Sequence, residues 1–261
     1  MANFGANSIT VYTRTANGNV APLRTLSGAA TGLSGPIGLA LDTLNNELTV
    51  VNQNANSATV YSRTANGNVA PPRTISGVAT GLNLPQGLAV DTVNNELAVA
   101  NGNGPSITVY ARTASGNVAP LRTIFGGATG LNIPEGVAVD NANNELAVAN
   151  VNGPSITVYA RTANGNVAPL RTISGAATGL SQPGFVAITT GAAPPTPTPT
   201  TTTTPTSTAT PTPTGVPPTP TRTPTPVTGQ AAIPTLDSRG LIALTLILAA
   251  LGILAIRRIV S

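Results

Sequence analysis

SITVYTRTANGNVAPLRT, residues 8–25, returns as SATVYSRTANGNVAPPRT at 57–74, SITVYARTASGNVAPLRT at 106–123 and SITVYARTANGNVAPLRT at 155–172. The interval is 49 residues each time. Tyr12, Tyr61, Tyr110 and Tyr159 keep the register, as do Arg14, Arg63, Arg112 and Arg161, and Pro36, Pro85, Pro134 and Pro183. A fixed period of this size is the mark of a repeat architecture, in which equivalent units bury one another's faces. One asymmetric active site has little use for four near-identical copies.

Working outward from the phrase, each unit offers four short runs that read as strands. In the second unit they are PIGLALD (36–42), NELTVVN (46–52), SATVYSR (57–63) and PRTIS (72–76). They are rich in Val, Ile, Leu, Thr and Tyr, and NN, NGN, TGL and Pro signals separate them. In SITVYAR, Ile107, Val109 and Ala111 alternate with Ser106, Thr108, Tyr110 and Arg112, a period of two that disfavours a helical solenoid. Four strands per unit predict an all-β fold, a β-propeller of about four 49-residue blades over residues 1–190. Small Ala40, Ala89 and Ala138 suit a crowded innermost strand.

The stretch LPQGLAVDTVNNELAVANGNGPSITVYAR (84–112) resembles the NHL-repeat propellers, which share its Pro, Gly, apolar-Ala-Val-Asp strand, polar turn and second strand ending in Ala-Asn. The resemblance implies the propeller fold and leaves the ligand open. The units are longer than is usual for that family. The last copy, PGFVAIT (183–189), puts Phe185 for the repeat's glycine and Thr189 for its aspartate.

The chain has no Cys, His, Trp or Lys, which excludes disulfides and removes the usual soft-metal ligands. Eight of twelve arginines occupy two repeated positions, opposite seven acids in the repeats, so the repeats are close to neutral and most of the net charge of +4 comes from the tail. No basic run with interleaved aromatics points to nucleic acid. Asp42, Asp91 and Asp140 each close a presumed innermost strand. Converging carboxylates there could hold Ca²⁺ and support a metal-dependent hydrolase or lactonase, as in propeller lactonases. The alternative, which we favour, is that each caps its own turn in DTLNN, DTVNN or DNANN. The Tyr and Arg ladders offer a repeated binding surface for an unknown ligand or protein, or else inter-blade packing of Arg on Tyr. Glu47, Glu96 and Glu145 are expected to be solvated.

Residues 191–230 are dominated by Pro and Thr, with a core stretch at 194–227 that cannot bury an apolar core and is expected to stay disordered and extended. Its 34 residues could span about 100 Å. It reads as an inert linker or as an O-glycosylated stalk. Residues 231–261 carry IPTLDSRG (233–240), sixteen uncharged residues at 241–256, then Arg257 and Arg258. The uncharged run predicts one transmembrane helix, with the arginine pair cytoplasmic and the repeats outside. Sixteen residues rise about 24 Å, and Arg239 and Arg257 snorkel to make up the thickness.

Ile233, Pro234, Thr235, Leu236 and Gly240, followed by the apolar span and the arginines, resemble the IPTL-type C-terminal sorting signal (IPTL-CTERM), a relative of the PEP-type signals of Gram-negative envelope proteins. That resemblance implies recognition and cleavage by an exosortase-like membrane protease, and so a bacterial cell-envelope location. Arg239 stands where the family usually has tryptophan. An exported repeat array also needs an N-terminal signal, which MANFGANSITVY lacks. Met1 aligns with Val50, Val99 and Val148 inside a strand, so the sequence is expected to lack its beginning.

Overall fold

The computed structural model describes residues 1–188. Fifteen strands follow in sequence order. Sheet 1 holds β1 (Ala2–Asn3), β2 (Ser8–Val11) and β3 (Arg24–Ser27). Sheet 2 holds β4 (Pro36–Asp42), β5 (Glu47–Asn52), β6 (Ser57–Ser62) and β7 (Arg73–Ser76). Sheet 3 holds β8 (Pro85–Asp91), β9 (Glu96–Asn101), β10 (Ser106–Ala111) and β11 (Arg122–Phe125). Sheet 4 holds β12 (Pro134–Asp140), β13 (Glu145–Asn150), β14 (Ser155–Ala160) and β15 (Arg171–Ser174). Every neighbouring pair is antiparallel, so each sheet is a meander. One three-stranded and three four-stranded sheets, with three short 3₁₀ turns, make an all-β array consistent with a propeller-like fold.

The turns are written in the Asn pairs. Asp42 pairs with Glu47 across a tight turn that ends at Asn46 with φ 60°, and Asn95 and Asn144 repeat this at 59° and 57°. Asparagine enters this left-handed region at lower cost than other side chains, because its amide is short and bonds locally. The second strands are buried along nearly their whole length on both faces. The period-two reading of SITVYAR holds in that the segment is a strand, β10, but both of its faces are buried. Ser106 and Thr108 are buried on the face that meets the preceding sheet, and the Asn101 amide of the adjacent strand in their own sheet donates to both hydroxyls at 3.3 and 3.1 Å.

Each seam between sheets is one apolar layer built from equivalent positions. Ile9 and Leu26 of sheet 1 meet Leu48, Val50 and Tyr61 of sheet 2. Ala58 and Ile75 of sheet 2 meet Leu97, Val99 and Tyr110 of sheet 3, and Ile107 and Ile124 of sheet 3 meet Leu146, Val148 and Tyr159 of sheet 4. Burial of these side chains, at roughly 1.5–3 kcal/mol each for the larger ones, is the main favourable term joining the units.

Innermost strands β4, β8 and β12 run side by side. A bulge near the start of each turns a glycine toward its neighbour. A methyl group at Gly87 would overlap the Glu135 carbonyl oxygen and lie 3.2 Å from the Gly136 Cα, so only glycine fits. Residues 183–188 occupy the next place in this series, with the Phe185 Cα and Gly184 carbonyl 2.8 and 2.9 Å from where a Gly136 side chain would begin. They form no ladder, contrary to the strand expected there. Among the described residues sheet 1 has three strands and no innermost strand, with β1 at the place of β5. Met1 backbone pairs with Thr10 as Val50 pairs with Thr59. No helix among the described residues is long and apolar enough to cross a membrane. The stalk at 191–230 and the span at 241–256 lie outside them.

Candidate functional site

Three kinds of repeated polar side chain were candidates, and each has a defined place. Asp42, Asp91 and Asp140 end β4, β8 and β12, where their carboxylates accept from the turn that follows. Asn45 donates to Asp42 from its backbone at 2.9 Å and from its amide at 2.7 Å. Asn94 does the same for Asp91, and Asn143 for Asp140. Burial pushes the Asp42 carboxyl up, but the Asn45 bonds and the Arg112 charge outweigh it and hold it below the usual carboxylate range. Hydrogen bonds from Asn143 lower Asp140 in the same sense. Among the described residues no group of three or more His, Cys, Asp or Glu side chains lies together as a metal site.

The tyrosine ladder divides. Tyr61, Tyr110 and Tyr159 are 1% exposed, and their hydroxyls donate to the Thr31, Thr80 and Thr129 carbonyls of the preceding unit at 2.5, 2.5 and 2.6 Å. Burial raises all three, Tyr110 to about 12. These rings hold seams together and present nothing to a ligand. Tyr12, at the free face of sheet 1, is 38% exposed.

The arginine ladder answers to the glutamates, which are not solvated as expected. Glu47 accepts from Arg73 of its own sheet and from Arg112 of the next sheet, each at 2.7 Å. Glu96 accepts from Arg122 and from Arg161 at the same distance. Their side chains are only 17% and 14% exposed. Hydrogen bonding from Arg73 and from Arg122 is the largest influence holding these two carboxyls below the usual value. Arg63, Arg112 and Arg161 also bond Asn46, Asn95 and Asn144 through Nε. The Glu residues and the second arginine of each repeat were the residues sequence reasoning missed. Their signal was a constant offset, with an Arg 26 and another 65 residues after Glu47 and Glu96. Among the described residues Glu145 pairs with Arg171 alone. Arg14 stands at the free end of the ladder on the phrase's first copy.

Two open clefts touch these groups: one of about 270 Å³ on sheet 2 is lined by Asn46, Glu47, Tyr61 and Arg73, and one of about 620 Å³ between sheets 1 and 2 is lined by Tyr12, Arg24 and Arg63 with Ile9, Leu39 and Leu48. Polar side chains of the repeats serve the joints between sheets, which is what an array of equivalent units requires. The sorting residues Ile233, Pro234, Thr235, Leu236, Gly240, Arg257 and Arg258 lie outside the described residues.

Among curated proteins, none matches this chain. At the C-terminus the chain does match a known motif: residues 231–258 are an IPTL-CTERM motif, a C-terminal sorting signal of cell-surface proteins.

Proposed function

We infer that this chain is an envelope- or surface-anchored module whose NHL-like propeller array binds a partner or builds envelope material, exported and sorted through its C-terminal signal. The observation that carries the reading is the IPTL-CTERM match at 231–258, placed behind an array of repeated sheets. The uncharged run at 241–256 holds the precursor in the membrane lipid, with Arg257 and Arg258 on the cytoplasmic side. An exosortase-like protease recognises the tetrad Ile233 to Leu236, and the Pro/Thr stretch spaces the array from the surface. The role is non-catalytic and takes no cofactor. In support of that, the repeated aspartates cap turns, the buried tyrosines cross seams, and the chain holds no His, Cys or Lys to act as base or nucleophile.

The test replaces Ile233, Pro234, Thr235 and Leu236 by alanine in the full chain, expressed in a host that carries the sorting machinery. Protease added to intact cells should digest the array of the parent chain and spare that of the variant. Equal digestion of both would defeat the sorting reading.

A further inference from the structure

We propose that Asn103 and Asn152 are self-modifying sites, at which the nitrogen of the following glycine displaces the side-chain amide and leaves an aspartyl or isoaspartyl residue, while the fold protects the other Asn–Gly pairs of sheets 2 to 4. The proposal goes beyond surface display and stands independently of it.

Asparagine followed by glycine is especially prone to this reaction, because no side chain on the second residue shields the attacking nitrogen. The same pair is favoured in tight turns, where glycine takes a positive φ without steric cost. Six such pairs occur in the sequence, beginning at Asn17, Asn66, Asn101, Asn103, Asn152 and Asn164. Their local sequences make them equally suspect. The five that follow the first unit are divided by their surroundings.

Three of the five are clamped. Gly67 N donates to Thr25 O at 2.7 Å while the Asn66 amide oxygen accepts from Thr25 N at 3.0 Å. Gly165 and Asn164 make the same two bonds to Thr123, at 2.7 and 3.0 Å. Attack at either pair requires both bonds to open across a seam. Asn101 is 0% exposed, its amide donates to the Ser106 and Thr108 hydroxyls and accepts from Asn83 N, and Gly102 N donates to Leu84 O at 3.0 Å.

Asn103 and Asn152 differ on each count. Both lie at exposed tips, between β9 and β10 and between β13 and β14. Among the described residues, neither Gly104 N nor Gly153 N has a hydrogen-bond acceptor. The two glycines have φ 62° and 67°, and the nearest atom a side chain there would meet is the Asn83 or Asn132 amide nitrogen, at 3.9 or 3.6 Å, which leaves room for a succinimide ring. Each reactive amide makes one side-chain bond, from Asn103 Nδ2 to Asn83 Oδ1 and from Asn152 Nδ2 to Asn132 Oδ1, both exposed at 3.2 Å. That bond holds the group that departs. The equivalent tip of sheet 2 is Asn54–Ala55, where a methyl group hinders attack, so the chain carries its own control.

In the reaction hydroxide takes the Gly104 N proton, the nitrogen bonds to Asn103 Cγ, the Cγ–Nδ2 bond breaks and ammonia leaves with a proton from solvent. Water then opens the ring at either carbonyl. One water enters, one ammonia leaves and nothing is oxidised or reduced. Either product lacks the amide donor, so Asn83 Oδ1 loses its partner and the tip is released from the segment ahead of β8. Conversion at both sites adds two negative charges to repeats that hold eight arginines and seven acids, which reverses the sign of their small net charge.

The test holds the full-length chain, in mild detergent, in mildly alkaline water enriched in heavy oxygen and follows label uptake by peptide mass spectrometry, with isoaspartyl methyltransferase marking isoaspartate. In the folded chain Asn103 and Asn152 should convert at least about tenfold faster than Asn66, Asn101 and Asn164, whose nitrogens must first leave a hydrogen bond. In concentrated urea that difference should vanish while Asn54 stays slow. Equal rates at Asn103, Asn152, Asn66 and Asn164 in the folded chain would overturn the proposal, as would protection of Asn66 and Asn164 that persists in urea. Label uptake at Asn103 and Asn152 without isoaspartate would overturn the glycine-nitrogen route.

Discussion

Replacing Tyr110 by phenylalanine removes one oxygen from the seam between sheets 2 and 3 while leaving the ring in place. The hydroxyl donates to Thr80 O at 2.5 Å across a boundary where Tyr110 is 1% and Thr80 0% exposed, so water cannot take over the bond. A net hydrogen bond contributes about 1 kcal/mol, and a buried carbonyl left without a donor costs about 1–3 kcal/mol. Tyr110→Phe should therefore destabilise by about 2 kcal/mol. For a unit of this size each kcal/mol lowers Tm by about 2–4 °C, which makes the drop roughly 4–8 °C. Tyr12→Phe supplies the control on an equivalent sequence position. Tyr12 is 38% exposed, and loss of its hydroxyl should stay within about 0.5 kcal/mol. Thermal melts of the full chain and the two variants, followed by circular dichroism, give the comparison. Equal Tm values for Tyr110→Phe and Tyr12→Phe would refute the claim that these tyrosines are seam fasteners.

Gly87→Ala places a methyl on the Glu135 carbonyl oxygen and should cost about 3 kcal/mol, whereas Gly5→Ala, with open space around it, should be nearly silent; urea midpoints decide, and matching midpoints would contradict the close approach of β8 and β12. Glu47 and Glu96 have folded values below the ordinary 4.5, so their contribution is present above that pH and is lost as the pH falls through the depressed values. Urea midpoints should accordingly fall in acid, and by less in a Glu47→Gln, Glu96→Gln variant. Tyr110 runs the other way: its value rises from 10.0 to about 12, so stability is full below pH 10 and declines by up to about 3 kcal/mol as the pH climbs toward 12, a slope that Tyr110→Phe should flatten. Millimolar Ca²⁺ should leave Tm unchanged, since each repeated aspartate is engaged by its own turn; a calcium-dependent rise would revive the axial metal site.

The strands were legible because β-branched runs, Asn-Asn turns and a repeat of fixed length all agree. PIGLALD is β4 to the residue, and NELTVVN, SATVYSR and PRTIS each fall within one residue of β5, β6 and β7. What a single strand's periodicity does not reveal is whether its polar face meets water or another sheet. Ser106, Thr108 and Tyr110 look like a solvated face, yet Asn101 and the Thr80 carbonyl satisfy them in a buried seam. Glu47 misled for a related reason, because its second arginine lies 65 residues away on the next sheet and no local pattern announces it. Phe185 was visible as a departure from glycine, but its meaning needed the innermost strands in contact: glycine is required only where another strand abuts.

The central claim, that this array is carried to the cell surface by its C-terminal signal, is met most directly by the intact mass of the protein recovered from the surface of cells that possess a matching sorting protease. The account predicts a mature chain that retains residues 1–188 and has lost the segment following the Ile233 to Leu236 tetrad, including Arg257 and Arg258. Surface molecules that all end at the intact tail, with Arg258 present, would contradict it.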